Sequence, residues 1–190
     1  MPFINLRDDL FGITSLLDFR KETAAPLCDL TQVLLRGPSS LTEAERELIA
    51  SYVSALNDCT FCSSAHAGIT CHLPGGMETG IQPMVRDMNT LHVSNKMKSL
   101  LSIAAKVQQG GSAVHQEDIE DAKNHGATDT EIHDAVLIAA LFCLYNRYVD
   151  GLNTRTPDDP AFYEALGKRV AGRGYSMPED GYHALEVKNN

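Results

Sequence analysis

The 190-residue sequence is most informative first in what it lacks. It has no cluster of lysine or arginine, and 16 basic residues against 25 acidic ones leave a net charge of −9. A surface this acidic argues against non-specific binding to nucleic acid or to anionic membranes. The opening residues carry acids early and have no basic start followed by a long apolar run, so they do not read as a signal peptide. The longest apolar run, residues 135–145, is shorter than the roughly 18 residues a bilayer span needs. It fits a buried core helix or a helix at a subunit interface. No alternation of β-branched residues reaches strand length. The five cysteines, Cys28, Cys59, Cys62, Cys71 and Cys143, do not form a disulfide framework. Their number is odd, only one pair is close-spaced, and no secretory signal accompanies them. These absences point to a soluble, cytoplasmic globular protein, expected to form one domain over residues 1–190.

Helical signals dominate what is present. Residues 94–108 place Met97, Leu100, Leu101, Ala104 and Val107 on one face, with Ser94 as a cap and Gly110-Gly111 as a stop. Residues 115–125 read as a short polar helix closed by Gly126. Capping boxes at Thr42/Glu45 and Thr128/Glu131 open two further helices, the second running to about Asp150. Their similarity is a weak hint of duplication. Residues 22–35 read as a helix with Pro26 confined to its first turn. Residues 78–89 and 159–171 are weaker helical segments, Pro74-Gly75-Gly76 is a turn, and the tail after Gly172 is expected on the surface or on a partner subunit. The expected fold is all-α, a compact helical bundle with residues 40–110 as its motif-bearing core.

The stretch from Glu47 to His66 carries the chemistry. On a helix, Cys59, Cys62 and His66 share one face. A dithiol at this spacing can close a disulfide within a single turn. In one continuous helix Glu47 would lie about 18 Å from Cys59. A reversal at Asn57-Asp58, with Asp58 as N-cap of the next helix, would instead bring Glu47 level with His66 in an antiparallel helix pair. The row Ala50, Ser51 and Ser54 would let the facing helix approach closely. A helix N-terminus and a nearby imidazole both favour a thiolate, the nucleophilic form of cysteine. The dipole favours Cys59 and the i+4 position of His66 favours Cys62. That reasoning does not settle the choice, and Cys62 is taken as nucleophile because a specific base outweighs a dipole worth roughly 0.3–1 kcal/mol. The competing readings are a pair of buried small hydrophobes, and a zinc site using Cys59, Cys62, His66 and His72. A structural zinc site usually spans a longer loop.

The spacing Glu47-x11-Cys59-x2-Cys62-x3-His66 resembles the redox motif of the alkylhydroperoxidase D and carboxymuconolactone decarboxylase superfamily. The segments Tyr52–Asn57 and Asn146-Arg147-Tyr148-Val149-Asp150-Gly151-Leu152 are similar to its peroxidase-related subgroup. The resemblance implies an all-α fold, assembly into a homo-dimer, trimer or hexamer, and reduction of a small hydroperoxide, with a lipoyl or thioredoxin-like dithiol as electron donor and no cofactor or metal. It implies that Cys62 attacks, Cys59 resolves, and His66 and Glu47 relay protons. Phe61 stands where the best-studied branch has a second histidine. Decarboxylases proper lack the cysteine pair, which disfavours that activity. A non-catalytic redox-sensing or zinc-binding oligomer is the alternative.

Overall fold

The computed structural model describes residues 1–76 and 86–185. Among them are eight α-helices and no strand: α1 (Gly12–Phe19), α2 (Lys21–Arg36), α3 (Glu43–Leu56), α4 (Thr60–Cys71), α5 (Asn95–Gln109), α6 (Gln116–Asn124), α7 (Asp129–Gly151) and α8 (Pro160–Arg173). The all-helical expectation holds. Most of the segment 78–89 lies outside the described residues, and its described end has a single 3-10 turn, Met88–Thr90.

Local signals account for most boundaries. Thr42 and Thr128 accept from the amides of Glu45 and Glu131, whose side chains reach back to the cap amides, so both capping boxes form. Ser94 accepts from the Met97 amide, and Asp159 from Ala161 with Pro160 at the first helical position. Three details depart from expectation. Helix α1 carries no cap signal and is absent from the sequence reading. Pro26 is the sixth residue of α2 and not in its first turn. The lost bond would have gone to the carbonyl of Glu22, which is exposed and can be hydrated. The chain between α3 and α4 also turns differently. Asp58 is not the cap of α4; it sits at φ +60, and Cys59 occupies the cap position without a side-chain cap bond. The amides of Asp58 and Cys59 bond to the carbonyls of Ala55 and Ser54 at 3.1 and 3.0 Å. This is a Schellman closure of α3, with Asp58 as its left-handed residue.

The main core lies between α3, α5 and α7, around Ile49, Val53, Leu100, Leu101, Ile138 and Phe142. Helix α7 is 23 residues long, longer than the apolar run within it, and by length and composition alone could cross a membrane. Its inner face is part of the core, while Ala140, Leu144 and Arg147 are exposed. A second cluster, including Cys59, Cys62, Phe61 and Phe162, joins α4 to α8. There the backbones nearly touch: a Cβ on Gly167 would come within 2.5 Å of the Gly68 carbonyl, and one on Gly68 within 2.7 Å of the Tyr163 carbonyl.

After α8 the chain does not lie idle on the surface. Gly174, at φ +70, turns it back against α2, where the Tyr175 amide donates to Gln32 Oε1 at 2.6 Å. Further on, Tyr182 reaches Cys28 at 3.3 Å and its carbonyl accepts from Arg7 at 3.0 Å.

Candidate active site

Helix α3 packs most closely against α4. Ser54 meets Cys59 through the backbone, Ser51 Oγ donates to the Ser63 carbonyl at 3.0 Å, and Glu47 meets His66. Small residues on both helices permit this approach. The result is a side-chain contact of 2.6 Å between Glu47 Oε2 and His66 Nδ1, with Glu47 wholly buried.

A bare carboxylate cannot be buried without partners. Glu47 has two more, neither anticipated from the sequence. The Tyr175 hydroxyl donates to Oε1 at 2.6 Å, and Arg36 Nη2 stands 2.6 Å from the same oxygen as an ion-pair contact. Arg36 Nε and Nη2 do not aim along a hydrogen bond, Nη1 donates to the Leu35 carbonyl at 2.9 Å, and the guanidinium lies 4.9 Å over the Tyr175 ring. Burial alone would push the Glu47 carboxyl up. The charge and hydrogen bond of His66, the charge of Arg36 and the Tyr175 hydroxyl outweigh it and hold the group below the ordinary carboxylate value. Glu47 is therefore an anion. An anion only accepts, so Nδ1 of His66 carries a proton, which leaves Nε2 as the ring nitrogen that exchanges one. The ring is further held edge-on to Phe142, centroids 4.5 Å apart, and parallel to Tyr175.

Both sulfurs are free thiols and buried. Neither is hydrogen-bonded to His66 among the described residues. Contrary to the expected thiolate, the Cys62 thiol is pushed well up. Its hydrogen bond to Cys59 is the largest cause, followed by burial and by the negative charges of Cys59 and Asp150, with the Asn146 amide opposing them. The dipole of α4 is too weak to overcome a sulfur partner and desolvation together. Asn146 also links the loop to α7: it accepts from Asn57 at 2.8 Å and donates to Ser54 at 3.0 Å. Burial raises the Asp150 carboxyl, and the Cys59 thiol opposes that shift.

Cys62 and His66 open onto a cavity of about 370 Å³ between α1, α2, α4, α7, α8 and the segment 174–185; Cys59 is not among its walls. No group of three or more histidine, cysteine or acidic side chains among the described residues is placed to hold a metal, and His72 lies 3.0 Å from Glu164. Tyr52 is buried in the core.

The model of the Carboxymuconolactone decarboxylase family matches residues 21–70, the span holding Arg36, Glu47, Cys59, Cys62 and His66. An uncharacterized peroxidase-related protein from Silicibacter sp. TM1040 superposes with a TM-score of 0.71 at 23% identity, over 82% of this chain and 79% of that one. An alkylhydroperoxidase AhpD core, an uncharacterized peroxidase-related protein from Ralstonia eutropha JMP134, superposes at 0.69 with 25% identity, over 84% and 82%. Residues 21–70 are thus similar to the Carboxymuconolactone decarboxylase family, and the fold is similar to that of these two proteins. No curated protein matches the sequence. Both of these structural neighbours are described as peroxidase-related proteins. Of the groups around Glu47, the sequence motif contains only His66. Arg36 and Tyr175 lie 11 residues before it and 128 after it, and no spacing marks them.

Proposed function

We propose that this protein is a cytoplasmic thiol-dependent peroxidase that reduces hydroperoxides through Cys62 and Cys59, with His66 and Glu47 as a proton relay. The observation that carries the reading is that Cys62 and His66 share the wall of one cavity while Glu47, ionised and buried, holds His66 from behind. The contacts between α3 and α4 support an antiparallel pair with the dithiol at the start of the second helix, the whole of residues 1–190 acting as one domain.

The raised Cys62 thiol sets the order of events. The thiol rests protonated, and Nε2 of His66 takes its proton as a hydroperoxide, ROOH, enters. The thiolate attacks the terminal oxygen, the O–O bond breaks, and the leaving alkoxide takes the proton held on His66 Nε2 and departs as ROH, which returns His66 to its starting state. Cys62 is now a sulfenic acid. The Cys59 sulfur attacks it, expels water and closes the disulfide. An external dithiol, lipoyl or thioredoxin-like, supplies two electrons and two protons to restore both thiols. The negative charge on Glu47 stabilises the imidazolium that forms in between. The Asp150 carboxylate, which interacts with the Cys59 thiol, would receive its proton.

Peroxide consumption with a set of dithiol donors tests the reading. Cys62→Ser should abolish turnover. Cys59→Ser should permit one turnover and leave a Cys62 sulfenic acid that dimedone traps. Wild-type turnover no faster than Cys62→Ser with every donor would sink the enzyme reading and favour a redox sensor.

A further inference from the structure

The cavity beside Cys62 has a polarity the relay does not use. Its walls include two arginines, Arg169 and Arg173, two histidines, His66 and His183, and no carboxylate. In a chain of net charge −9 that segregation is marked. Among the described residues neither arginine has a hydrogen bond or an ion pair, whereas Arg7, Arg36, Arg86 and Arg155 all contact acids. Arg169 is partly buried, and burial together with the like charge of Arg173 disfavours its cation. A partly buried cation one helical turn from a second, exposed one is an arrangement that an anion would relieve.

Helix α8 fixes where that anion would sit. Leu166, Arg169, Val170 and Arg173 share one face toward the cavity. Along that face exposure rises from buried Leu166 through Arg169 to exposed Arg173, so the cavity opens toward the C-terminal end of α8. Tyr163, lower on the same helix, packs against Phe61 beside the dithiol, ring centroids 6.1 Å apart. At 1.5 Å per residue, Arg169 and Arg173 stand about 9 and 15 Å further along the axis than Tyr163. The wall between is apolar, with Leu17, Ile69 and Val170.

We propose that Arg169 and Arg173 form a carboxylate site at the cavity mouth, so that the substrate is an amphipathic organic hydroperoxide, with an apolar chain in the cavity, the peroxide at Cys62 and a carboxylate on the arginines. The substrate assignment rests on the peroxidase reading; the anion site does not. Hydrogen peroxide would fill little of such a cavity. An alkyl hydroperoxide without a charge would leave both cations unpaired. Bidentate contact with a planar carboxylate suits arginine better than lysine.

The test separates the two claims because it begins with a ligand that cannot react. Calorimetry on the reduced protein compares sodium octanoate with 1-octanol, and the same titrations are run on Arg169→Gln, Arg173→Gln and Arg169→Lys. Octanoate should bind at least about tenfold more tightly than the alcohol. It should lose that advantage in either glutamine variant, regain part of it in Arg169→Lys, and slow alkylation of Cys62 by iodoacetamide. Equal binding of acid and alcohol, or an octanoate affinity unchanged in both glutamine variants, would overturn the site. If Arg169→Gln fails to fold by circular dichroism, Arg173→Gln at the exposed rim decides. Octanoate binding without turnover of any hydroperoxide would remove the peroxidase reading and leave the anion site supported.

Discussion

Glu47 shows how much a single buried charge demands. It is fully buried, and it stays ionised because His66, Arg36 and Tyr175 converge on its two oxygens. Glu47→Gln keeps the size and most of the hydrogen bonding but removes the charge, so turnover should fall by about 10²- to 10⁴-fold. Tyr175→Phe removes one donor to the anion. The folded Glu47 carboxyl lies below its ordinary value, so it is ionised down to low pH, and loss of the hydroxyl raises it. The acidic limb of the rate profile should then move to higher pH, with the rate at neutral pH less affected. A limb that stays in place would restrict Tyr175 to packing. At Cys62, the hydrogen bond to Cys59 is the largest cause of the raised thiol. Cys59→Ala should therefore speed alkylation of Cys62 at pH 7, and the midpoint of its alkylation-rate profile should fall. A slower or unchanged rate would mean that burial alone governs the thiol.

Helices α4 and α8 meet through glycine. Gly167 faces the backbone of Gly68, and Gly68 faces that of Tyr163, so no flexible side chain at the closest contacts could yield. Gly167→Ala would force α8 away from α4, at a cost of about 1–3 kcal/mol. Because the cavity wall is shared by these helices, the displacement should also weaken any ligand bound beside Cys62. Chemical denaturation of the variant checks the first effect. A midpoint equal to the parent's would mean that the helices separate freely. The turn at Asp58 is a second element-scale feature. One residue at φ +60 lets the Ser54 and Ala55 carbonyls close α3 and starts α4 with Cys59. Asparagine and aspartate are among the few non-glycine residues that adopt this conformation readily, and either one at this turn would serve.

For the whole molecule, the outer face of α7 sets the question of assembly. Half of its most apolar window is buried within the subunit. Leu144 remains 47% exposed there, and Val33 on α2 is 70% exposed. A homo-oligomer that covers these residues would remove the exposed apolar surface. Leu144→Glu should then lower the mass measured by light scattering on size exclusion at a fixed protein concentration, with helicity unchanged. A monomeric parent protein would remove the proposal.

What the sequence determined by itself was local and periodic. Capping boxes at Thr42 and Thr128, the Ser94 cap and the glycine stops act within one turn of a helix, so they were legible as strings of residues. The position of His66 opposite Glu47 was also legible, because it needed only a reversal near Asn57 and helices of fixed rise. The form of that reversal was not, since an aspartate can cap a helix or take a left-handed turn and neighbouring packing decides between them. Pro26 was misplaced for a similar reason: one missing hydrogen bond at an exposed carbonyl is a small cost for a helix anchored by its other face. Tertiary structure alone decided the remaining partners. Arg36 and Tyr175 reach Glu47 across separations in sequence that carry no period, and burial of a charge had to be compensated by whichever groups the fold delivered. The same is true of Cys62. Its helix position favours a thiolate, but a neighbouring sulfur and a dry core raise the thiol, and both exist only once the chain has packed.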